Sequence, residues 1–280
     1  MTSVTCEPLA AGVGAEVQGV DARDVAHHEA VASAVFEALE QYGVLVFRGL
    51  YLEPEDQITF CRRLGEIDYE DGHHPVRGIY RVTLDKTKNA SADYLKGTFH
   101  WHMDGCTPLH GEPPQKATML TSVAVASSGG ETQFASTYAG YEGLAPEEKQ
   151  QADVLRVVHS LEASQRSVWP DPSSEQLARW RSRPTSTHPL VWRHRTGRRS
   201  LVVGVHADYV VGMDRDEGRA LLEALLEDAT APERVYRHEW RVGDSVIWDN
   251  TGMVHRVSPY ASDSPRELLR TTVFGDEPIQ

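Results

Sequence analysis

The stretch FHWHMDG, from Phe99 to Gly105, carries polar side chains at every second position: His100, His102 and Asp104. Because residues i, i+2 and i+4 of a strand point to one face, a strand here would gather two imidazoles and a carboxylate on a single patch. Two histidines and one carboxylate are the ligands of non-haem iron oxygenases, which keep further coordination positions open. The H-x-D pair also suits an ordinary polar strand face, so the spacing alone leaves both interpretations open.

A third ligand would have to come from elsewhere in the chain, and the segment GDSVIWDNTGMVHRVSPY offers one. The run from Ser245 to Trp248 predicts a strand, and the Asp249-Asn250 pair after it predicts a turn. His255 follows on the next segment. We therefore take His255 as the candidate third ligand.

Two arginines follow in the segment SPRELLRTTVFGD. Arg266 and Arg270 are four residues apart, and on a strand this even spacing places both guanidinium groups on one face. Two fixed cations beside a metal would suit two small acids that an enzyme must hold together. The alternative is that both are surface arginines that balance nearby acidic residues.

The composition of the 280-residue chain is that of an ordinary globular protein. Hydrophobic residues make up 40% and charged residues 25%, which is enough to bury a core in one large domain or two small ones. The 28 basic and 41 acidic residues give a formal net charge of −13. Because nucleic-acid binding needs a basic surface, nucleic acid is not an expected partner. The basic cluster RHRTGRR, from Arg193 to Arg199, surrounds a Thr-Gly pair and is predicted to cap a hairpin.

The sequence gives no indication of export or of a membrane span. The start MTSVTCEPLAAGVGAEV has no basic region followed by an apolar one, and no run approaches the roughly 20 apolar residues that a span needs. The cysteines Cys6, Cys61 and Cys106 have no CxxC spacing, which favours a reducing cytoplasm over a disulfide framework. We expect Cys106 to fill space rather than to bind a metal.

The secondary structure that must position these residues is predicted to be helical near the N-terminus and rich in strands after it. Residues 28–43 place Val31, Val35 and Leu39 on one helical face before Gly43, and a second helix is predicted to begin near Pro54. The strand-like runs are VLVFRG, ATMLTSVAVA, TQFAS, SLVVGVH, RVYRHEW, SVIWD and LLRTTVF, with one further helix in EGRALLEALLED. A few early helices followed by many strands predict a mainly β fold, a sandwich or jelly roll with helical cover.

A Pro-, Ser- and Arg-rich segment around residues 165–190 shows no clear period. We interpret this segment as an insertion in a single domain that spans residues 1–280. Neither an internal repeat nor a low-complexity linker divides the sequence.

Taken together and in this order, the motifs resemble those of one enzyme family. The matching phrases are GVLVFRG, WHMD, GGETQFAS, GVHADYVVGM, YRHEWRVGDSVIWDN, the histidine at 255 and RELLRTT. They are similar to the taurine and 2,4-dichlorophenoxyacetate dioxygenase family of iron(II)- and 2-oxoglutarate-dependent oxygenases, from about Val44 to the C-terminus. The resemblance implies a double-stranded β-helix, a cupin-like jelly roll with helices on its larger sheet, in agreement with the fold class predicted above.

The resemblance also implies the residues that hold the cofactor and co-substrate. His102, Asp104 and His255 match the family's iron ligands. Thr132, in GGET, matches the threonine that contacts a 2-oxoglutarate carboxylate. Arg266 matches the arginine that pairs with the far carboxylate of 2-oxoglutarate. Iron(II), 2-oxoglutarate and O2 are therefore the expected cofactor and co-substrates.

The implied substrate contacts are Arg270, His74 and His100. Arg270 matches the second arginine, which in family members lies beside the substrate's anionic group. HHPVR resembles the taurine enzyme's segment whose histidine touches the sulfonate, here His74, although Arg77 stands where that enzyme has a tyrosine. His100 matches no ligand, and we expect it beside the site or in the substrate pocket.

A cupin-type H-x-H pair with a nearby glutamate is the competing interpretation of His100 and His102. It fits less well, because the acid that follows at short range is Asp104, and Glu112 comes only after Pro108.

The implied activity is oxidation of a small anionic organic substrate, coupled to decarboxylation of 2-oxoglutarate to succinate and CO2. Hydroxylation next to an ether oxygen or a sulfur would fragment the product. The C-terminal third favours an aryloxyalkanoate; a sulfonate or sulfate ester such as taurine, or a bulkier natural-product or lipid-like acid, is the alternative. A zinc hydrolase or a non-catalytic jelly-roll binder would have no reason to retain Thr132 with Arg266. We expect a homo-oligomer.

Overall fold

The N-terminal part of the chain alternates short strands with helices. In the computed structural model, which describes residues 4–9, 12–69, 72, 74–108 and 113–280, it comprises β1 (Thr5–Pro8), β2 (Ala15–Gln18), α1 (Ala22–His27), α2 (Glu29–Tyr42), β3 (Val44–Phe47) and α3 (Pro54–Cys61). α2 buries Val31, Val35 and Leu39 and ends at Gly43, whose φ is 72°. The two predicted N-terminal helices are therefore confirmed.

The rest of the chain is rich in strands. Its elements are β4 (Tyr80–Val82), a 3₁₀ helix (Tyr94–Phe99), β5 (Gln115–Ala124), β6 (Thr132–Ser136), α4 (Thr137–Gly143), α5 (Pro146–Ala152), β7 (Arg156–His159), α6 (Leu161–Arg166), α7 (Ser174–Arg181), β8 (Ser186–Pro189), β9 (Val191–Arg193), β10 (Arg199–Leu201), β11 (Ala207–Val210), α8 (Arg215–Ala229), a 3₁₀ turn (Pro232–Arg234), β12 (Val235–His238), β13 (Ser245–Asp249), β14 (Met253–Val257) and β15 (Glu267–Phe274). The helix predicted in EGRALLEALLED is α8.

Two facing sheets enclose the core of the molecule. The main sheet has the strand order β1-β2-β3-β13-β5-β15-β4, with only its β2–β3 pair parallel among the described residues. A second sheet has the order β12-β6-β14. Leu120, Val246 and Leu268 of the main sheet pack with Phe134 and Met253 of the second sheet in one buried cluster. This is the predicted jelly roll.

The other face of the main sheet is covered by the N-terminal helices. Successive residues of a strand point to opposite faces, so the neighbours of the core residues point outward. Ile247 and Leu269 do so, and they pack with Val35 of α2 and Ile58 of α3. The helical cover expected from the sequence is confirmed.

The RHRTGRR segment forms a hairpin, as predicted. β9 and β10 pair antiparallel with Arg193 opposite Arg199. The cysteines Cys6, Cys61 and Cys106 are free. Within the described ranges, no helix is both long enough and apolar enough to cross a membrane.

One expectation about regular structure is wrong in part. SLVVGVH is not one strand, because β10 ends at Leu201 and β11 begins only at Ala207. The segment around residues 165–190, whose sequence shows no clear period, contains α7 and β8. The missed signal was the capping box of α7, in which Ser173 and Gln176 satisfy each other's backbone N–H groups. Its interpretation as an insertion stays a prediction.

A buried carboxylate fixes the turn before β13. Asp244 accepts hydrogen bonds from Arg48 Nη1 at 2.6 Å and from the backbone N–H groups of Gly49 at 3.0 Å and Arg241 at 2.9 Å. His238 Nε2 lies 3.5 Å from its Oδ2. Burial alone would raise the pKa of Asp244, but these partners outweigh burial and lower the pKa to about 2. The ionised carboxylate is therefore tied to the folded state.

We expect Asp244→Asn to destabilise the fold by about 3 kcal/mol at pH 7, because it leaves Arg48 without its buried partner. In the wild type, a carboxyl pKa lowered from 3.8 to about 2 stabilises the fold by about 2 kcal/mol. That contribution is present above about pH 4 and is lost as the pH falls toward 2. Urea unfolding of both proteins at pH 7 and pH 3 should show a stability difference that shrinks at the lower pH. A difference independent of pH would contradict the assignment.

Candidate active site

His102 and His255 come together because two distant segments form a single β-bridge. The His102 N–H donates to His255 O at 3.0 Å, and the His255 N–H donates to His102 O at 2.9 Å. His255 lies in β14, but the chain around His102 is not a strand, since a 3₁₀ helix ends at Phe99 and Asp104 lies in a turn. The expectation of a strand that presents three polar side chains on one face is therefore wrong.

The side chains of His102, Asp104 and His255 nevertheless converge, and their nitrogen and oxygen atoms lie within 4.8 Å of one another. His102 Nε2 is 3.8 Å from Asp104 Oδ1, and His255 Nε2 is 3.7 Å from Asp104 Oδ2. Two imidazole nitrogens and one carboxylate could hold a single divalent metal ion and leave other coordination positions open. We call these three residues the triad.

Hydrogen bonds fix the tautomer of His102. Its Nδ1 lies 2.9 Å from the carbonyl oxygen of His100, which can only accept a hydrogen bond. Nδ1 therefore carries the proton, and Nε2 keeps its lone pair on the side of Asp104. His100 thus contacts the triad through its backbone carbonyl. Its ring is exposed and lines a neighbouring cleft of about 710 Å³.

The protonation states of the triad suit a metal. Burial, together with the charges of His102 and Arg270, lowers the pKa of His255 to about 3. Burial would raise the pKa of Asp104, but His255, His102 and Arg270 outweigh it and hold that pKa below its usual range. A neutral His255 imidazole and an ionised Asp104 carboxylate are the forms in which these groups ligate metals.

Thr118 holds the Asp104 carboxylate, and Asn250 holds Thr118. Thr118 Oγ1 donates to Asp104 Oδ2 at 3.3 Å, and Asn250 Nδ2 donates to Thr118 Oγ1 at 2.8 Å. Asn250 is itself anchored by its backbone N–H, which bonds to Lys116 O at 2.9 Å. The chain from Asn250 through Thr118 restricts the orientation of the carboxylate.

A buried cation with free donors lies at the start of β15. The Arg266 side chain is 1% exposed, and its Nε donates to Gly130 O at 3.1 Å. Its Nη1 and Nη2 are buried without a hydrogen-bond partner among the described residues. The ring of Tyr260 lies 4.8 Å from the guanidinium carbon. Tyr260 and Glu131 also act on the Arg266 charge. Because buried donors without a hydrogen-bond partner are costly, Nη1 and Nη2 suit a carboxylate.

The GGET segment shapes this cation site. Gly130 has φ +77°, and a Cβ there would lie 2.8 Å from Arg266 Cδ, so only glycine lets the arginine pass. Thr132, the first residue of β6, is buried, and its Oγ1 accepts a hydrogen bond from Trp240 Nε1 at 2.9 Å. Its hydroxyl hydrogen therefore remains available for an anion.

Arg270 lies on the core-facing side of β15. It pairs in register with Leu120, which packs in the core between the sheets. The guanidinium carbon lies 4.5 Å from the ring centroid of Tyr80, and Tyr80 OH accepts a hydrogen bond from Asn89 Nδ2 at 3.2 Å. The Arg270 charge is among the causes that lower the pKa of Asp104, which places it near the triad.

His102 and Asp104 open into a cavity of about 230 Å³. Its other lining residues include Tyr94, Leu161 and His206. The cavity has the size of a small organic molecule and both polar and apolar walls.

The similarity to known proteins covers nearly the whole chain. Residues 5–272 match the family described as "Taurine catabolism dioxygenase TauD, TfdA family". The chain belongs to the TauD/TfdA family. The resemblance found in the sequence is confirmed, and this TauD/TfdA protein is a 2-oxoglutarate-dependent dioxygenase, an oxidoreductase.

Individual relatives are similar over nearly their full length. The "Alpha-ketoglutarate-dependent 2,4-dichlorophenoxyacetate dioxygenase" of Cupriavidus pinatubonensis is 34% identical over 98% of this chain and 99% of the relative. The "Alpha-ketoglutarate-dependent sulfate ester dioxygenase" of Pseudomonas putida is 32% identical over 97% of this chain and 90% of the relative. The solved structure of AAD-2 in complex with Mn(II) and N-oxalylglycine has a TM-score of 0.84 at 31% identity and covers 99% of this chain and 100% of that one.

The cofactors of this TauD/TfdA dioxygenase are iron(II), 2-oxoglutarate and O2. The residues present fit them on two observations. The triad supplies two nitrogens and one oxygen within 4.8 Å. The unpaired Nη1 and Nη2 atoms of Arg266 fit the far carboxylate of a dicarboxylic acid.

His74 is placed differently from the other predicted site residues. Its Nδ1 accepts the Val76 N–H at 3.1 Å, and burial followed by the Arg81 charge lowers its pKa. The acids that act on it are Glu267 and Glu55. Arg81 pairs in register with Leu269, on the helix-covered side of the main sheet. The substrate role of His74 stays a prediction, and Glu112, considered for the competing ligand pattern, lies outside the described residues.

Proposed function

We propose that this dioxygenase oxidises a small organic anion, with an aryloxyalkanoate as the first candidate. His102, Asp104 and His255 would bind iron(II), and Arg266 with Thr132 would bind 2-oxoglutarate. Arg270 would bind the anionic group of the primary substrate. The observation that carries the proposal is a convergent two-histidine, one-carboxylate site in a chain that also buries the unsatisfied donors of Arg266.

Each residue would contribute positioning and charge. Iron(II) with 2-oxoglutarate and O2 supplies the oxidising power that inserts an oxygen atom into a C–H bond, with release of CO2 and succinate. Arg266 would bind one 2-oxoglutarate carboxylate through two parallel N–H donors, and Thr132 would donate to a carboxylate oxygen. Their burial keeps water from competing for these bonds. The protein thereby fixes the co-substrate before the primary substrate arrives.

The anionic substrate is supported by the position of Arg270. Its guanidinium charge acts on both Asp104 and His255. Tyr80 and Asn89 support it from the side. A positive charge that acts on two members of the triad favours a substrate with a carboxylate, sulfonate or sulfate group.

The relatives favour two substrate classes within this chemistry. One is named for 2,4-dichlorophenoxyacetate and the other for sulfate esters, and both molecules are anions. A sulfonate such as taurine and a bulkier natural-product or lipid-like acid are the further alternatives. A zinc hydrolase or a non-catalytic binder would leave the buried Arg266 donors without a function.

Oxygen uptake in the presence of iron(II) and 2-oxoglutarate tests the proposal. The panel comprises aryloxyalkanoates, alkyl sulfonates, alkyl sulfate esters and long-chain acids. We expect 2-oxoglutarate-dependent uptake that rises with one of the first three classes. Uptake without 2-oxoglutarate, or hydrolysis of a panel member under zinc alone, would contradict the proposal.

The role of Arg270 predicts that the negative charge of the substrate is required. The methyl ester of the best carboxylic acid in the panel should bind more weakly by about 2–3 kcal/mol, roughly 30- to 150-fold, because a neutral ester forms no charge-assisted contact with the guanidinium. In Arg270→Gln the difference between acid and ester should largely vanish. 2-Oxoglutarate decarboxylation with both substrates measures this. Equal use of acid and ester by the wild type would refute an anionic substrate.

Arg81→Gln is the matched control for this experiment. Arg81 lies next to Tyr80 on β4 but points to the other side of the sheet, where Glu267 Oε1 is 3.7 Å away. We expect Arg81→Gln to keep the wild-type preference for the acid. A loss of preference in both variants would indicate a general effect of net charge.

Three further features are proposals that rest on the sequence. They are a single domain over residues 1–280 with an insertion around residues 165–190, a homo-oligomeric state, and a location in the cytoplasm. Light scattering of the purified protein tests the oligomeric state, and a mass of one chain would contradict it.

A further inference from the structure

A second cluster, of one cysteine and two histidines, lies next to the triad. Cys106, His159 and His206 are all buried, and one nitrogen or sulfur atom of each lies within 4.8 Å of the others. His159 ends β7, and His206 precedes Ala207, which pairs with His159 in β11. His206 also lines the cavity that contains His102 and Asp104. The proposed reaction assigns no role to this cluster.

The hydrogen bonds of the cluster fix the position of each proton. The Met103 N–H donates to His206 Nε2 at 3.1 Å, so Nε2 must carry a lone pair. The proton of a neutral His206 is therefore on Nδ1, which lies 2.8 Å from His159 Nδ1. His159 Nδ1 must accept this bond, so the His159 proton is on Nε2. That Nε2 is buried without a hydrogen-bond partner in the described part of the chain.

This arrangement argues against a second metal site. Both nitrogens of His206 are used, one as acceptor and one as donor, so neither offers a lone pair to a metal. The two histidines instead form a directed chain of hydrogen bonds that runs from the Met103 N–H through His206 to His159 Nδ1.

We infer that His206 and His159 form a positioning pair that sets the geometry of the metal ligands. Met103 lies between His102 and Asp104 in sequence, so the peptide that His206 holds is the link between two members of the triad. His159 acts through His206. Its Nδ1 accepts the hydrogen bond from His206 Nδ1–H, so Nε2 of His206 keeps the lone pair that accepts the Met103 N–H. Neither residue is a ligand in this inference, which rests on the proposed assignment of the triad.

The packing around Gly204 supports a close fit between the pair and the ligand segment. Gly204 has φ +145°, and a Cβ at this position would lie 2.9 Å from His206 Nε2 and 3.1 Å from His102 Cα. Next to it, the Val205 N–H donates to Trp101 O at 2.8 Å. The segment that carries His206 therefore lies against the ligand segment without an intervening side chain.

The tautomer of His206 is the first test, because a role in packing alone would not require one form. Protein labelled with ¹⁵N-histidine and free of metal would be examined by long-range ¹H–¹⁵N correlation, with the signals assigned through a His206→Asn sample. We expect His206 with its proton on Nδ1 and His159 with its proton on Nε2. A His206 ring with its proton on Nε2, or with protons on both nitrogens, would overturn the inference.

Metal affinity is the second test, measured as Mn(II) binding by calorimetry in the absence of 2-oxoglutarate. His159→Leu removes the acceptor, and His159→Asn keeps an acceptor oxygen near the place of Nδ1. We expect His159→Leu to weaken Mn(II) binding about 10- to 100-fold and His159→Asn to restore most of the loss. The Michaelis constant for 2-oxoglutarate should change much less. Wild-type affinity in His159→Leu, or equal losses in both variants, would overturn the inference.

His194→Leu is the matched control for a buried histidine. His194 bonds to Ser200 Oγ at 2.8 Å and stacks on Trp192 in the β9–β10 hairpin. The His194→Leu variant should have a lower melting temperature, while its Mn(II) affinity stays at the wild-type value.

His255→Ala separates this inference from the proposed function. If His255→Ala abolishes Mn(II) binding and His159→Leu does not change it, the assignment of the triad is supported and the role of the positioning pair is refuted. If His255→Ala leaves Mn(II) binding unchanged, the proposed triad itself is wrong.

Discussion

Replacing His255 with alanine is expected to abolish metal binding and turnover. The variant would leave one imidazole and one carboxylate at a site whose three ligands lie within 4.8 Å. Metal affinity should fall by more than the roughly 10- to 100-fold that is typical of losing an outer-shell partner of a ligand. Calorimetric titration with Mn(II) measures the affinity, and oxygen uptake with iron(II) and 2-oxoglutarate measures turnover.

The fold of this variant should survive, which makes the result interpretable. His255 packs between Trp248, at 4.6 Å, and Phe134, at 6.2 Å between ring centroids, and alanine leaves a gap there. Its backbone bridge to His102 does not depend on the side chain. His194→Ala, a buried histidine in the β9–β10 hairpin, is the matched control and should keep full metal affinity. Normal metal affinity and turnover in His255→Ala would refute the assignment of the triad.

The triad could be identified from the sequence even though its local structure could not. The spacing of His102 and Asp104 suggested a strand face, whereas the structure has only one bridge at His102 and a turn at Asp104. A metal site depends on which side chains meet, and the order of the motifs along the chain was enough to predict that these three do. The backbone shape depended on the partner strand β14, which a local pattern does not show.

The residues that support the triad could not be found in this way. Thr118, His159 and His206 reach the site from β5, β7 and the loop before β11, so they meet only when the jelly roll closes. Thr118 and His206 lie in apolar runs whose pattern predicts only a strand, and His159 ends a short apolar run. Asn250 carried the clearest signal, because a turn-forming residue that follows a buried strand often has a specific side-chain partner.

The elements that were predicted well are those whose signals are local. α2 shows a helical period that ends at a glycine, and its bounds Glu29–Tyr42 agree with the prediction. SLVVGVH failed as a single strand because the chain turns at Gly204 to pass His102, a contact between segments about a hundred positions apart. Long-range contacts of this kind decide where apolar runs leave a sheet.

Arg266→Met is expected to weaken the binding of 2-oxoglutarate without lowering the stability of the fold. Methionine is similar in length and apolar, so it removes a guanidinium whose Nη1 and Nη2 have no hydrogen-bond partner among the described residues. Losing a buried, two-pronged carboxylate contact costs about 3–4 kcal/mol, which corresponds to a roughly 10²- to 10³-fold higher Michaelis constant for 2-oxoglutarate. Arg266→Lys should be nearly as impaired, because an ammonium keeps the charge but loses the planar pair of donors.

The same variant should unfold at the same temperature as the wild type, or at a higher one, when 2-oxoglutarate is absent. In that state the wild type keeps a charge that is 1% exposed and unpaired at Nη1 and Nη2, and an apolar replacement relieves this cost. Adding 2-oxoglutarate at about 100 times its dissociation constant to the Mn(II)-loaded wild type should stabilise it by about 2.7 kcal/mol. Arg266→Met should gain almost nothing from the same addition.

Arg270→Met is the matched comparison, because Arg270 lies on β15 only four residues from Arg266 and the two differ in the anion proposed for each. Arg270→Met should keep the thermal shift by 2-oxoglutarate and raise the Michaelis constant of the primary substrate instead. Equal effects of both variants on both constants, or a reversed pattern, would mean that the two roles are assigned wrongly. A marked loss of stability in Arg266→Met without 2-oxoglutarate would show that the guanidinium is held by the protein itself. In that case Nη1 and Nη2 of Arg266 could not be the donors that bind 2-oxoglutarate.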